Sequence, residues 1–192
     1  MSRYATVAEL RADLGIEESD TSRDPALASA LAAAEAGIEA ATGRRFWLDQ
    51  APEARVYSTF GRLVVGDGIE RMLVDDIGDQ AVTVATGQSS GPWEDLDVEL
   101  WPLSALSRGR PVTSLAGRWP AATRIRVTAR WGWPSVPADI AQATRIQAAR
   151  LYRRKDSPEG VTGSAEWGVV RLSRRDPDVW TLIEPYMVPG FG

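Results

Sequence analysis

The chain contains no cysteine and no histidine. Without cysteine there is no disulfide, no thiolate nucleophile and no Cys-based zinc site. Without histidine the commonest general base and the commonest transition-metal ligand are also missing. Together these absences argue against most enzyme classes, so no catalytic residue, cofactor or metal is expected. Lysine is almost absent too: 21 of the 22 basic residues are arginine, which reads as compositional bias because arginine stands even where no partner is evident. No apolar run approaches the ~20 residues needed to cross a bilayer. The opening MSRYATVAEL lacks the pattern of a signal peptide, and no membrane partner is expected.

What is present, over 192 residues, is enough chain for one domain, or one domain carrying a large insertion. The clearest stretch runs from Thr123 to Lys155. Ile125, Val127 and Ala129 alternate with Arg124, Arg126, Thr128 and Arg130, the period of a half-buried strand. Trp131-Gly-Trp-Pro breaks that period. Residues 137–155, free of Gly and Pro after Pro137, then read as a helix with Pro137 in its first turn. Its apolar stripe is Ile140, Ala143, Thr144, Ala148, Leu151 and Tyr152. Gln142, Arg145, Arg150, Arg153 and Arg154 lie opposite, with Ile146 among them. Ile146 is either an ordinary exposed side chain or the centre of a subunit contact.

Two further helices precede it. Thr6 and Glu9 have capping-box spacing, giving a helix near 6–14 that Gly15 can end. Asp24-Pro25 reads as N-cap and first-turn proline of a helix near 26–42, with Leu27, Leu31, Ala34, Ile38 and Ala41 at helical spacing and Gly43 closing it. Neither helix would stand alone, and the helix at 137–155 is their natural packing partner.

Between them the period is two. Strands are expected near 54–60, 62–66, 70–76, 81–86, 95–101 and 123–130, with a weaker one near 111–116; Gly66-Asp-Gly68 and Gly78-Asp79 are tight-turn signals. The fold class is therefore α+β: a small helical bundle with an inserted antiparallel β-sheet or barrel and an extended C-terminal arm. Residues 1–44 and 134–156 form the helical core, 45–133 the β insertion and 157–192 the arm. The turn WGWPSVP reads as the hinge between the two halves. Gly168 to Leu172 could add a short strand, and Asp176-Pro177 opens a final helical turn or two. The apolar end, including Trp180, Ile183, Tyr186 and Phe191, with Arg174 and Arg175 before it, either folds back on its own domain or serves as a docking arm.

Charge is unevenly placed. Residues 145–175 hold eight basic and three acidic residues, a balance of +5 that leaves −9 on the rest of a chain of net charge −4. A basic end on an acidic body suits a directed contact with an acidic surface or with nucleic acid. Asp95, Asp97 and Glu99 share one face of the expected strand, as a wet outer face or an electrostatic partner surface. Asp67, Asp75, Asp76 and Asp79 lack the spacing of an EF-hand loop and read as a solvated hairpin rim. The eight tryptophans (Trp47, Trp93, Trp101, Trp119, Trp131, Trp133, Trp167 and Trp180) fit core, interface or carbohydrate-stacking roles. A DNA-contacting use of the arginine helix is a further reading, against which stand the acidic net charge and the lack of a basic–aromatic ribbon.

The order of parts resembles one family. The helix in YATVAELRADLGI, the alanine-rich helix ending IEAATGRRFW, a β insertion, RVTARWGWPSVPADIAQATRIQAARLYRRK and the closing RRDPDVWTLIEPY together resemble the head–tail connector (adaptor) proteins of long-tailed double-stranded DNA phages. The most specific places are Ala41–Phe46, the junction from Trp133-Pro134 to Pro137-Ala138-Asp139-Ile140, and Leu151-Tyr152-Arg153-Arg154.

The resemblance implies a non-enzymatic virion protein of the neck, made in the host cytoplasm. It would be a dodecameric ring beneath the portal, joining it to the head-closure (stopper) or tail-terminator protein. Double-stranded DNA would pass through the channel without sequence-specific binding. A head-closure or other tail-completion role is the alternative. The expected subunit and portal contacts are Arg145, Ile146, Arg150, Arg153 and Arg154 on one side and Asp95, Asp97 and Glu99 on the other, with the C-terminal arm docking.

Overall fold

The computed structural model describes residues 4–88, 91–120, 124–154 and 176–188. The chain divides into two units, residues 1–44 with 136–192, and residues 45–135.

The first unit is helical. Val7–Asp13 (α1) starts on the capping box: the Thr6 hydroxyl accepts from Glu9 N–H, and the Glu9 carboxylate accepts from Thr6 N–H at 2.7 Å. Asp24–Thr42 (α2) begins two residues earlier than its spacing predicts. Asp24 is not the N-cap; Arg23 holds that position with no side-chain cap. The Asp24 carboxylate instead accepts from the buried Arg11 guanidinium, which also donates to the Glu18 carbonyl. A buried arginine needs a counter-charge more than a helix end needs a cap. Gly43, at φ 67, ends α2 as expected. Ala138–Arg154 (α3) packs on α1 and α2, and Leu10, Leu27, Leu31, Ala34 and Ala148 make their shared core. Alanine at these seams lets the axes approach closely.

Pro177–Ile183 (α4) packs on α3. Asp176 caps it by accepting from Asp178 and Val179 N–H, and Val179 and Ile183 are buried. Residues 176–188 are thus helical and folded back rather than an extended arm. Arg174, Arg175, Phe191 and the strand expected at 168–172 lie outside the described residues.

Glu9 sets an acid-sensitive term in this unit. The Thr6 backbone and hydroxyl hydrogen bonds hold its carboxyl below the ordinary glutamate value. A lowered folded-state pKa contributes stability at neutral pH that is lost as pH falls below about 4.3 and through the folded value. Thr6→Ala is expected to cost about 1 kcal/mol. Glu9→Gln is expected to remove part of the acid limb in a thermal-unfolding series followed by circular dichroism. An unaltered limb would show that the box contributes nothing.

The second unit is two four-stranded antiparallel sheets. Its strands are Glu53–Ser58 (β1), Leu63–Gly66 (β2), Ile69–Ile77 (β3), Thr83–Gly87 (β4), Trp93–Asp95 (β5), Glu99–Trp101 (β6), Val112–Ala116 (β7) and Arg124–Ala129 (β8). They run β1-β8-β4-β5 in one sheet and β2-β3-β7-β6 in the other. Tyr57, Met72, Val84, Leu115, Ile125, Val127 and Trp131 from both sheets form one core between them. The β2–β3 hairpin turns on Asp67 and Gly68, both at positive φ (53° and 75°), the backbone of a two-residue turn whose twist matches the strands.

Two expectations change here. The single strand near 95–101 is two short strands in different sheets: Asp95 pairs with Ala85, Glu99 with Ala116. Leu96, Val98 and Leu100 still point into the core, so the alternation is right while the hydrogen-bond partner changes midway. The segment Trp131–Trp133 is buried, not a loose turn. Trp131 bridges Ile77 and its indole N–H donates to the Glu53 carbonyl at 2.8 Å.

Candidate assembly interface

Among the described residues no three acidic side chains converge as a metal site. A recess of about 200 Å³ lies on the β1-β8-β4-β5 sheet, lined by Ala54, Thr83, Ala85, Asp95, Arg126 and Thr128 among others. It holds no nucleophile paired to a base. What the fold presents for function is surface.

The arginine side of α3 divides into two kinds. Arg145 donates twice to Asp13 at the end of α1, at 2.7 and 2.9 Å, and this carboxylate raises the guanidinium's pKa further. Arg150 donates to Asp176, the cap of α4. Both are half-buried and fasten neighbouring helices onto α3. Arg153 and Arg154, in the last turn, are exposed and make no ion pair among the described residues. Ile146, two helical turns before them, is half-buried. Asp95, Asp97 and Glu99 are all exposed, along the crossing between the sheets rather than on one strand.

In the C-terminal segment, Ile183 is buried and Trp180 half-buried. The Tyr186 hydroxyl donates to Asp139 at 3.0 Å, and its carbonyl accepts from Arg44 at 2.8 Å. Val188 N–H donates to the Thr42 carbonyl.

Sequence reasoning misses two features. Four arginines of the β unit have a structural use: guanidiniums lie over Trp47 (Arg45, 4.0 Å), Trp131 (Arg55, 4.3 Å), Trp93 (Arg126, 4.6 Å) and Trp101 (Arg71, 4.8 Å). A flat, weakly hydrated guanidinium stacks on indole better than an ammonium does. Two of the pairs, Arg126–Trp93 and Arg71–Trp101, reach across an intervening strand, so they become legible only once strand order is known. The second feature is an apolar surface at 60–69. Phe60 is 93% exposed and Val65 75%, with Val64 and Ile69 also open.

No protein-family model and no curated protein matches the sequence. Among solved structures, the chain resembles one in the neck of an empty GTA particle computed with C6 symmetry. Identity is 23%, the match covers 97% of this chain and 91% of that chain, and the TM-score is 0.59. The similarity therefore spans both units of this chain, and at this identity it is a similarity of fold.

Proposed function

We propose that this protein is a structural subunit of a phage-type neck: a head-to-tail adaptor that forms a homo-oligomeric ring under the portal and joins it to the head-closure protein. The observation that carries the reading is the fold match over nearly the whole length of both chains to a protein from a particle neck. The ordered motifs of the sequence point the same way, and so does the lack of histidine and cysteine. A head-closure role is the alternative, separated by whether the chain binds portal directly.

In this reading the surface charges take different parts. Arg145 and Arg150 serve within the helical unit, so Arg153, Arg154 and Ile146 are the portal contact. Asp95, Asp97 and Glu99 belong to the contact with the neighbouring copy. Arg153→Glu with Arg154→Glu is expected to leave the circular dichroism spectrum and melting temperature unchanged, because both side chains are exposed. The same double variant is expected to weaken portal capture at least about tenfold, a change of ~1.4 kcal/mol. Undiminished capture would remove this surface from the portal contact. Arg150→Glu is the wrong probe, since it would set a carboxylate against Asp176 and detach α4.

A further inference from the structure

Phe60, Val64, Val65 and Ile69 leave apolar surface open at the β2–β3 hairpin, and its form says what kind of partner it fits. Gly66 and Ile69 close a two-residue turn, and Val64 opposes Arg71 two residues along. In such a hairpin these opposed pairs exchange both hydrogen bonds, so the N–H and C=O groups of Leu63 and Val65 point away from β3. β2 is the edge of its sheet. Among the described residues, neither Leu63 nor Val65 has a further backbone partner. Natural edges are usually blunted by lysine, proline or an inward charge. Here Asp67 is the only exposed charge from Phe60 to Ile69.

The exposed side chains of Phe60, Val64, Val65 and Ile69 amount to on the order of 400 Å² of apolar surface, near the upper range for a soluble monomer. It is also about half of the ~800 Å² that one partner gives to a standard interface.

The topology supplies the counter-surface. β1 and β2 are edge strands of the two sheets and are joined by the short connection 59–62. β5 and β6 are the edges at the other side, joined by 96–98. The β unit therefore has two different open sides, one apolar and one acidic, facing opposite ways. That is the requirement for head-to-tail association around a ring. Charge fits as well. Arg62, beside β2, donates to the Leu73 carbonyl and lies over the Tyr57 ring, with no carboxylate among the described residues. Asp97, just before β6, and Glu99, its first residue, are exposed. Leu103, just beyond β6, is the exposed large apolar side chain on that side.

We infer that the β2 edge and Phe60 of one copy dock on the β6 edge of the next, extending the sheet by strand addition and placing Arg62 against Asp97 and Glu99. The inference rests on the ring reading and names its subunit contact.

Two measurements on the full chain test it. A benzophenone amino acid at Val65 is expected to cross-link, on irradiation of the assembled ring, to residues 94–103 of a second copy; the cysteine-free sequence keeps disulfides from confusing the map. Phe60→Asp with Val65→Asp is expected to leave the monomer's dichroism intact and to lower the ring fraction at least tenfold. If rings form but the cross-link maps elsewhere and the double variant still assembles, this contact is wrong and the ring reading stands. If the wild-type chain forms no ring, alone or on the portal, both fall together.

Discussion

Replacing Gly132 by alanine is expected to unfold the β unit. Gly132 sits at φ 107, where a side chain is rarely accommodated, and a Cβ there would lie 1.8 Å from the Trp47 carbonyl oxygen. The backbone around it cannot yield. Gly132 N–H donates to the Asp76 carbonyl at 2.7 Å, Gly78 N–H to Arg130 at 3.1 Å, and Asp49 N–H to Trp131 at 2.9 Å. The Arg130 guanidinium closes the same loop on the Asp49 carbonyl at 2.7 Å. Relieving the overlap breaks several of these bonds and lifts Trp131, 1% exposed, out of the core. Backbone strain costs about 1–3 kcal/mol and disruption of a buried tryptophan about 3–5 kcal/mol, together enough to unfold a marginally stable unit. Six of the eight tryptophans lie in residues 45–135, so indole fluorescence in a urea titration reports this unit. A midpoint equal to wild type would contradict the packing described.

This glycine also shows what the sequence withholds. Its reading ends the strand at Trp131 and takes the following residues as a hinge, because Gly and Pro punctuate the period there. That Gly132 is instead demanded by a backbone passing within touching distance depends on Trp47, 85 positions away, and no local pattern carries such a contact. Local chemistry was legible. The Thr6–Glu9 box, Gly43, the Asp67-Gly68 turn and the Asp176-Pro177 helix start each encode their own structure within a few residues, and each forms. The failures share one cause, competition from a distant partner. Asp24 leaves its capping role for Arg11, and residues 95–101 change sheets halfway through one alternating run. The arginines of α3 look alike on a helical wheel. Only the positions of Asp13 and Asp176 separate the two that fasten helices from the two that face solvent.

Deleting residues 176–192 is expected to destabilise the helical unit by about 2–4 kcal/mol, the transfer free energy of two buried side chains less the chain entropy regained. Val179 and Ile183 are 7% and 3% exposed. The deletion also leaves Arg150 without Asp176, Arg44 without the Tyr186 carbonyl and the Thr42 carbonyl without Val188 N–H. Helical dichroism in urea should show an earlier midpoint. An unchanged midpoint would mean that the segment contributes nothing to the core and acts only as a docking arm. The consequence for assembly experiments is direct: loss of portal binding on truncation would confound unfolding with docking, whereas the Arg153 and Arg154 reversals leave the core untouched.

Native mass spectrometry of the purified protein mixed with its portal decides whether the chain is a ring-forming neck subunit. Twelve copies of a 20.9 kDa chain would give a complex heavier than the portal by about 250 kDa, formed even if the chain alone is monomeric, since the portal can template the ring. A chain that stays at its monomer mass in the presence of the portal would not be a ring-forming neck subunit.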